Sequence, residues 1–160
     1  MDKLLHCLSV SFLIAFCNLV VAQPPLRKEI PLNDHSSQSF ICPLDKNGLL
    51  VVHSSAYTSD REKTNWVFYF FDTSFNQKFC DSIPVPYQFS IQKSAFDNKN
   101  VLLLFSSSDI INDSELFYLI KFNTTNLSLQ IIPFSFSFRW KAEWIWIKEN
   151  QVFLSGFIPP

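Results

Sequence analysis

From Phe40 onward the chain alternates short apolar runs, rich in Val, Ile, Phe, Tyr and Trp, with polar clusters such as TSDREKTN from Thr58, DNKN from Asp97, SSSDIINDS from Ser106 and NTTN from Asn123. Runs of a few residues bounded by turn formers are the pattern of β-strands, and no 3.6-residue period interrupts them. The pattern predicts strands over 49–54, 66–71, 78–83, 87–93, 101–105, 116–122, 127–132, 134–140, 143–148 and 151–155. Only two glycines are present, so Asn and Asp are expected to supply the tight-turn conformations. Residues 23–39 carry PP, RKE and NDHSSQS without apolar periodicity and read as an extended leader.

The runs repeat. DKNGLLVVHSS from Asp45 matches DNKNVLLLFSS from Asp97, about fifty residues on, and VFYFFDTSF from Val67 matches FYLIKFNTTN from Phe117. Both second strands run into an Asp/Asn-Thr-Ser/Thr turn and then towards a proline, Pro84 or Pro133, and a third copy opens with KENQVFLSGF at Lys148. This unit resembles the kelch-type and related β-propeller blades, although the double glycine of kelch blades is absent from both copies. The resemblance implies an all-β, propeller-like repeat of antiparallel blades spanning 40–160, with about two and a half repeats where a closed propeller takes about 4 to 8. The expected alternative is a compact secreted β-barrel or sandwich, lipocalin-like in size.

The first 22 residues, MDKLLHCLSVSFLIAFCNLVVA, combine an early lysine, an apolar run and small residues before Gln23. That is the pattern of a cleaved secretory signal peptide, and Asn18 interrupts the run well short of the roughly 20 apolar residues of a spanning helix. The expected location is extracellular, with no stable membrane insertion after cleavage. In that oxidising compartment the cysteines outside the signal, Cys42 and Cys80, are expected to form one disulfide, stabilising by about 4 kcal/mol through loop entropy. Unpaired thiols, or pairing with another chain, form the alternative. Sequons stand at Asn112, Asn123 and Asn126, each in or beside an expected turn, and are candidate N-glycosylation sites.

Formal charge is −1 for the whole chain, so nothing draws it to nucleic acid or an anionic membrane. Phenylalanine is frequent, at 18 residues, more apolar surface than a small monomer readily hides. Partners are accordingly expected: a protein or a glycan, or the missing blades of a longer chain or an oligomer. Phe134, Phe136, Phe138, Trp140, Trp144 and Trp146 share one parity and would share one face of an unbroken strand. They are either an aromatic ligand platform or, by ordinary strand patterning, a core face.

No metal or cofactor is expected, because His35 and His53 lack neighbouring ligands at metal spacing. Neither a Gly-x-Ser-x-Gly elbow nor a phosphate-binding glycine loop occurs. Asp72, Asp81 and Glu143 are isolated carboxylates that only the fold could pair as acid and base. The expectation is a secreted, non-enzymatic β-repeat protein presenting a surface to a protein or a glycan. A lipocalin-like carrier of a small hydrophobic ligand, and a fragment of a larger propeller enzyme or receptor ectodomain, are the other readings.

Overall fold

The computed structural model describes residues 27, 29–30, 38–55, 62–97, 99–107, 115–149 and 151–159. The expected signal peptide and Asn112 lie outside them, as does nearly all of the leader. The described chain is all-β: β1 (Ser39–Pro43), β2 (Leu49–Ser54), β3 (Lys63–Phe71), β4 (Gln77–Pro86), β5 (Phe89–Phe96), β6 (Asn100–Ser107), β7 (Glu115–Asn123), β8 (Ser128–Phe136), β9 (Lys141–Lys148) and β10 (Gln151–Phe157). One 3₁₀ turn, Asp45–Asn47, joins β1 to β2.

The strands form three antiparallel meanders: β1-β2-β3-β4, β5-β6-β7-β8 and the hairpin β9-β10. The repeat is visible in the register. Leu50 pairs with Cys42 and Phe70, Leu102 with Ala95 and Lys121, and Phe153, at the equivalent place in β10, with Trp146. The three sheets stack face to face. Leu50, Val52, Phe68 and Phe70 of the first sheet share a core with Val101, Leu103, Phe105 and Phe122 of the second. From the opposite face of the second sheet, Leu102, Leu104, Phe117 and Leu119 pack against Trp140 and Ile145 beside the third.

The middle sheet is therefore covered on both sides, which accounts for the unbroken apolar run VLLLF in β6, since a strand buried on both faces has no polar alternation. Trp66 packs edge-on against Phe105 across the first interface, centroids 4.9 Å apart. Among the described residues no sheet closes on itself. The expected alternative of a closed barrel is thereby corrected, because each sheet buries a face against a neighbouring sheet rather than curling into a lumen.

Strand boundaries differ from expectation where edge strands break interior rules. β8 runs through Pro133, which pairs with Tyr118, and β4 contains Pro84 and Pro86. Both are edge strands, where a missing N–H costs no ladder bond. The expected strand 134–140 is absent: its first residues extend β8, and a bend at 137–138 precedes β9. β1, unforeseen, starts inside the expected leader, and Gln38 already accepts from the Ser54 amide at 2.9 Å and donates its own amide to Ser54 Oγ at 2.8 Å.

The turns bear out half of the expectation. Asp72 Oδ1 accepts from the amides of Ser74 and Asn76, both at 2.9 Å, and Asn123 Oδ1 accepts from those of Thr125 and Asn126 at 2.9 and 3.0 Å. These are the Asx turns of the repeated Asp/Asn-Thr-Ser/Thr motif. Among the described residues, however, the left-handed positions fall mostly to other types: Phe75, Leu127 and Glu149 have φ of 59°, 53° and 52°, and Asp45, at 48°, is of the expected kind.

Candidate functional site

Each sheet contributes its first strand, an edge strand, to one cleft of about 400 Å³. Phe40 of β1, residues 91–94 of β5 and residues 143–145 of β9 line it. The size lies within the usual span of small-ligand sites. Ile91 and Ile145 supply apolar wall, while Gln92, Lys93, Ser94 and Glu143 supply polar groups beside the 70 % exposed indole of Trp144.

Two β-bulges shape this lining. In β5, Ile91 pairs with Phe105 and Lys93 with Leu104, leaving Gln92 unopposed. In β9, Ala142 pairs with Gly156 and Trp144 with Ser155, leaving Glu143 unopposed. Ile91 packs in the core towards the first sheet, whereas Ala95 packs in the core towards the third, so the bulge switches the facing of the strand midway. In β9 the same device lets Ala142 and Ile145, three residues apart, pack in one core. Both bulged residues line the cleft. Gln92 is held by its Nε2, which donates to Ser90 Oγ at 2.8 Å.

The expected aromatic platform is divided. Phe134, Phe136 and Trp140 gather around Phe117, with centroids 5.1, 5.8 and 5.4 Å from its ring, and Phe138 stacks on Phe136. Trp140 also lies where a Cβ on Gly156 would fall, which fixes glycine there. Trp146 stacks on Phe153 of β10 at 5.3 Å, and Trp144 stands in the cleft. The parity shared with Phe134, Phe136, Phe138 and Trp140 is lost because the bend between β8 and β9 and the bulge at Glu143 each shift the facing, while Trp144 and Trp146, opposite Ser155 and Phe153 in unbroken register, still share one face of β9.

The expected Cys42–Cys80 disulfide is not formed: Cys42 is buried and Cys80 exposed, both as free thiols. Register explains it. Cys42 pairs with Leu50, itself opposite Phe70, whereas Cys80 pairs with Tyr69, so the two cysteines point to opposite faces of the first sheet. They lie on β1 and β4, three strand spacings or roughly 14 Å apart, and a disulfide needs Cα atoms within about 7 Å. Burial pushes the Cys42 thiol up. The Tyr69 hydroxyl is likewise raised, by its own burial and by Cys80 beside it.

Asn123 and Asn126 stand in the β7–β8 turn. Asn123 is half-buried and its Nδ2 donates to Asn100 Oδ1 at 3.0 Å, while Asn126 is exposed with its Oδ1 accepting from Ser128 Oγ at 2.7 Å. His53 is buried and only half satisfied: Nδ1 lies 3.2 Å from the Ser54 carbonyl, and Nε2 has no partner among the described residues. Its ring stacks on Tyr69, centroids 5.7 Å apart. His35 lies outside the described residues.

The carboxylates singled out in sequence are not brought together. Asp72 caps its turn and is drawn down from 3.8 to about 2, chiefly by the Asn76 amide, with Lys78 3.1 Å away. Asp81 accepts from the adjacent Ser82 amide at 2.7 Å, and Glu143 stands in the cleft. Among the described residues no cluster of His, Cys, Asp and Glu could hold a metal ion, and no helix is long and apolar enough to cross a membrane. No protein-family model, curated protein or solved structure matches the chain.

Proposed function

We propose that the chain is a secreted, non-enzymatic recognition protein built from propeller-like blades, and that it binds a protein or a glycan where the first strands of its sheets converge. One observation carries this reading: bulges in β5 and β9 place Gln92 and Glu143 together in a cleft that also holds an exposed tryptophan. The blade reading is supported by first strands that begin at Ser39, Phe89 and Lys141 and second strands that begin at Leu49, Asn100 and Gln151. Each sheet faces the next through equivalent positions, Leu50 and Val52 in the first and Leu102 and Leu104 in the second.

The remaining partners in this reading are further blades, from a longer chain or an oligomer. They would cover the outer face of the third sheet, where Trp146 remains exposed against Phe153. The carrier alternative loses its support with the closed barrel on which it depended.

The test uses protein secreted from eukaryotic cells, probed against arrays of extracellular proteins and of glycans, alongside a Ser94→Arg variant that fills the cleft. Selective binding that the variant loses is expected. Binding that survives the filled cleft, or turnover of a bound substrate, would overturn the proposal.

A further inference from the structure

Resting on that reading and narrowing it, we propose that the cleft takes a neutral pyranose sugar, with Trp144 against its C–H face and Gln92, Lys93, Ser94 and Glu143 hydrogen-bonded to its hydroxyls. β5 and β9 are edge strands facing the cleft, and an unbroken edge would invite an extended peptide to add as a further strand. Each edge is instead interrupted by a bulge, at Gln92 and at Glu143, and a bulge breaks the even ladder that strand addition needs. A peptide strand is therefore disfavoured along both walls.

An apolar ligand is disfavoured by charge. Lys93 and Glu143 line the cleft without an ion-pair partner among the described residues, and covering them with hydrocarbon would desolvate both. Their charges cancel, so the cleft has no net attraction for an anion or a cation.

What fits is a ligand with one apolar face and a rim of groups that each donate and accept. Glu143 only accepts, Lys93 only donates, and the Gln92 amide and Ser94 hydroxyl do both, which matches neighbouring sugar hydroxyls. Trp144 supplies a flat apolar surface without the cost of moving a buried side chain, since it already stands 70 % exposed. A cleft of about 400 Å³ leaves room for such a ring and bridging water.

Saturation-transfer NMR on the secreted protein tests this with the methyl glycosides of glucose, galactose, mannose and N-acetylglucosamine, and with glucuronate and glucosamine as charged counterparts. The expected result is saturation of ring C–H protons of at least one neutral sugar. Affinity should fall at least tenfold in Trp144→Ala and severalfold in Glu143→Gln, while Trp146→Ala on the same strand leaves it unchanged. Circular dichroism of each variant confirms the fold. Sugar binding that Trp144→Ala does not alter would overturn the site. Retention of a protein partner at the cleft, with no sugar bound, would overturn the ligand class and leave the recognition reading standing. A folded protein that retains neither would overturn both.

Discussion

Asp72 gathers two backbone amides and the Lys78 ammonium at the end of β3, and its pKa falls to about 2. Folding lowers this pKa, so the folded state holds the proton less tightly than the unfolded chain does. Its contribution is complete above about pH 4 and drains away as pH falls through about 2. Urea midpoints of the wild type and Asp72→Asn, measured between pH 6 and pH 2.5, should converge towards acid; a constant gap would refute the assignment. Asp97 plays the corresponding part before β6: burial pushes its carboxyl up, but the amides of Lys99 and Asn100, the Asn100 side chain and the Lys121 charge together hold it low. Gly48 stands where no other residue fits, with φ of 117° and the Phe71 carbonyl in the place of a Cβ. Gly48→Ala is expected to cost at least about 2 kcal/mol in chemical denaturation. Its repeat counterpart, Asn100, fills the same corner differently, donating to the Asp97 carboxylate at 3.2 Å and accepting from Asn123.

At the scale of the element, register decides what a residue type can do. Two cysteines outside an expected signal peptide suggest a bridge by composition, yet β1 and β4 are separated by two strands and the thiols face opposite ways. For the chain from Gln23 onward, whose cysteines are Cys42 and Cys80, maleimide labelling read by intact mass should give one adduct on the folded protein, at Cys80, and two after unfolding. Absence of labelling in the unfolded, unreduced chain would mean that the cysteines are bridged. The bulges act in the same way upon β5 and β9: an unopposed Gln92 or Glu143 moves every following side chain to the other face. Deleting Gln92 would leave Ile91 opposite Phe105, Lys93 opposite Leu104 and Ala95 opposite Leu102 in one regular ladder, so the facing of β5 is kept and only the bulge is lost. A Tm close to that of the wild type is the expected outcome, and a drop of more than about ten degrees would mean that the fold needs the bulge itself. Most strands were legible from their apolar runs, with β2 matching its expected limits, whereas β1 and the run of β8 through Pro133 were not. The bulges were not, because a bulge is a relation between two strands and neither sequence shows it alone.

Across the described residues, stability flows through the middle sheet, which packs against another described sheet on each face. Phe105 is fully buried against Trp66 at the first interface. Phe105→Ala is expected to cost about 3–5 kcal/mol, whereas Trp146→Ala, on the exposed face of the third sheet, should stay within about 1 kcal/mol. Urea unfolding of both variants checks the contrast, and comparable losses would mean that the third sheet's outer face is covered within the chain.

The amino-acid sequence by itself determined the all-β class, the period of about fifty residues and the polar turns that punctuate it, since each depends on neighbours within one strand or one hairpin. It also marked Trp144 and Glu143 as separate oddities, one in an aromatic series and one an isolated carboxylate. Only the tertiary structure decided that Trp140 belongs to a core while Trp144 belongs to a cleft, that Cys42 and Cys80 stay apart, and that Gln92, over fifty positions upstream, joins Glu143 at one site. Those outcomes depend on how three sheets stack and on which residue goes unopposed in an edge strand, and stacking and register are set by contacts between segments that are distant along the chain.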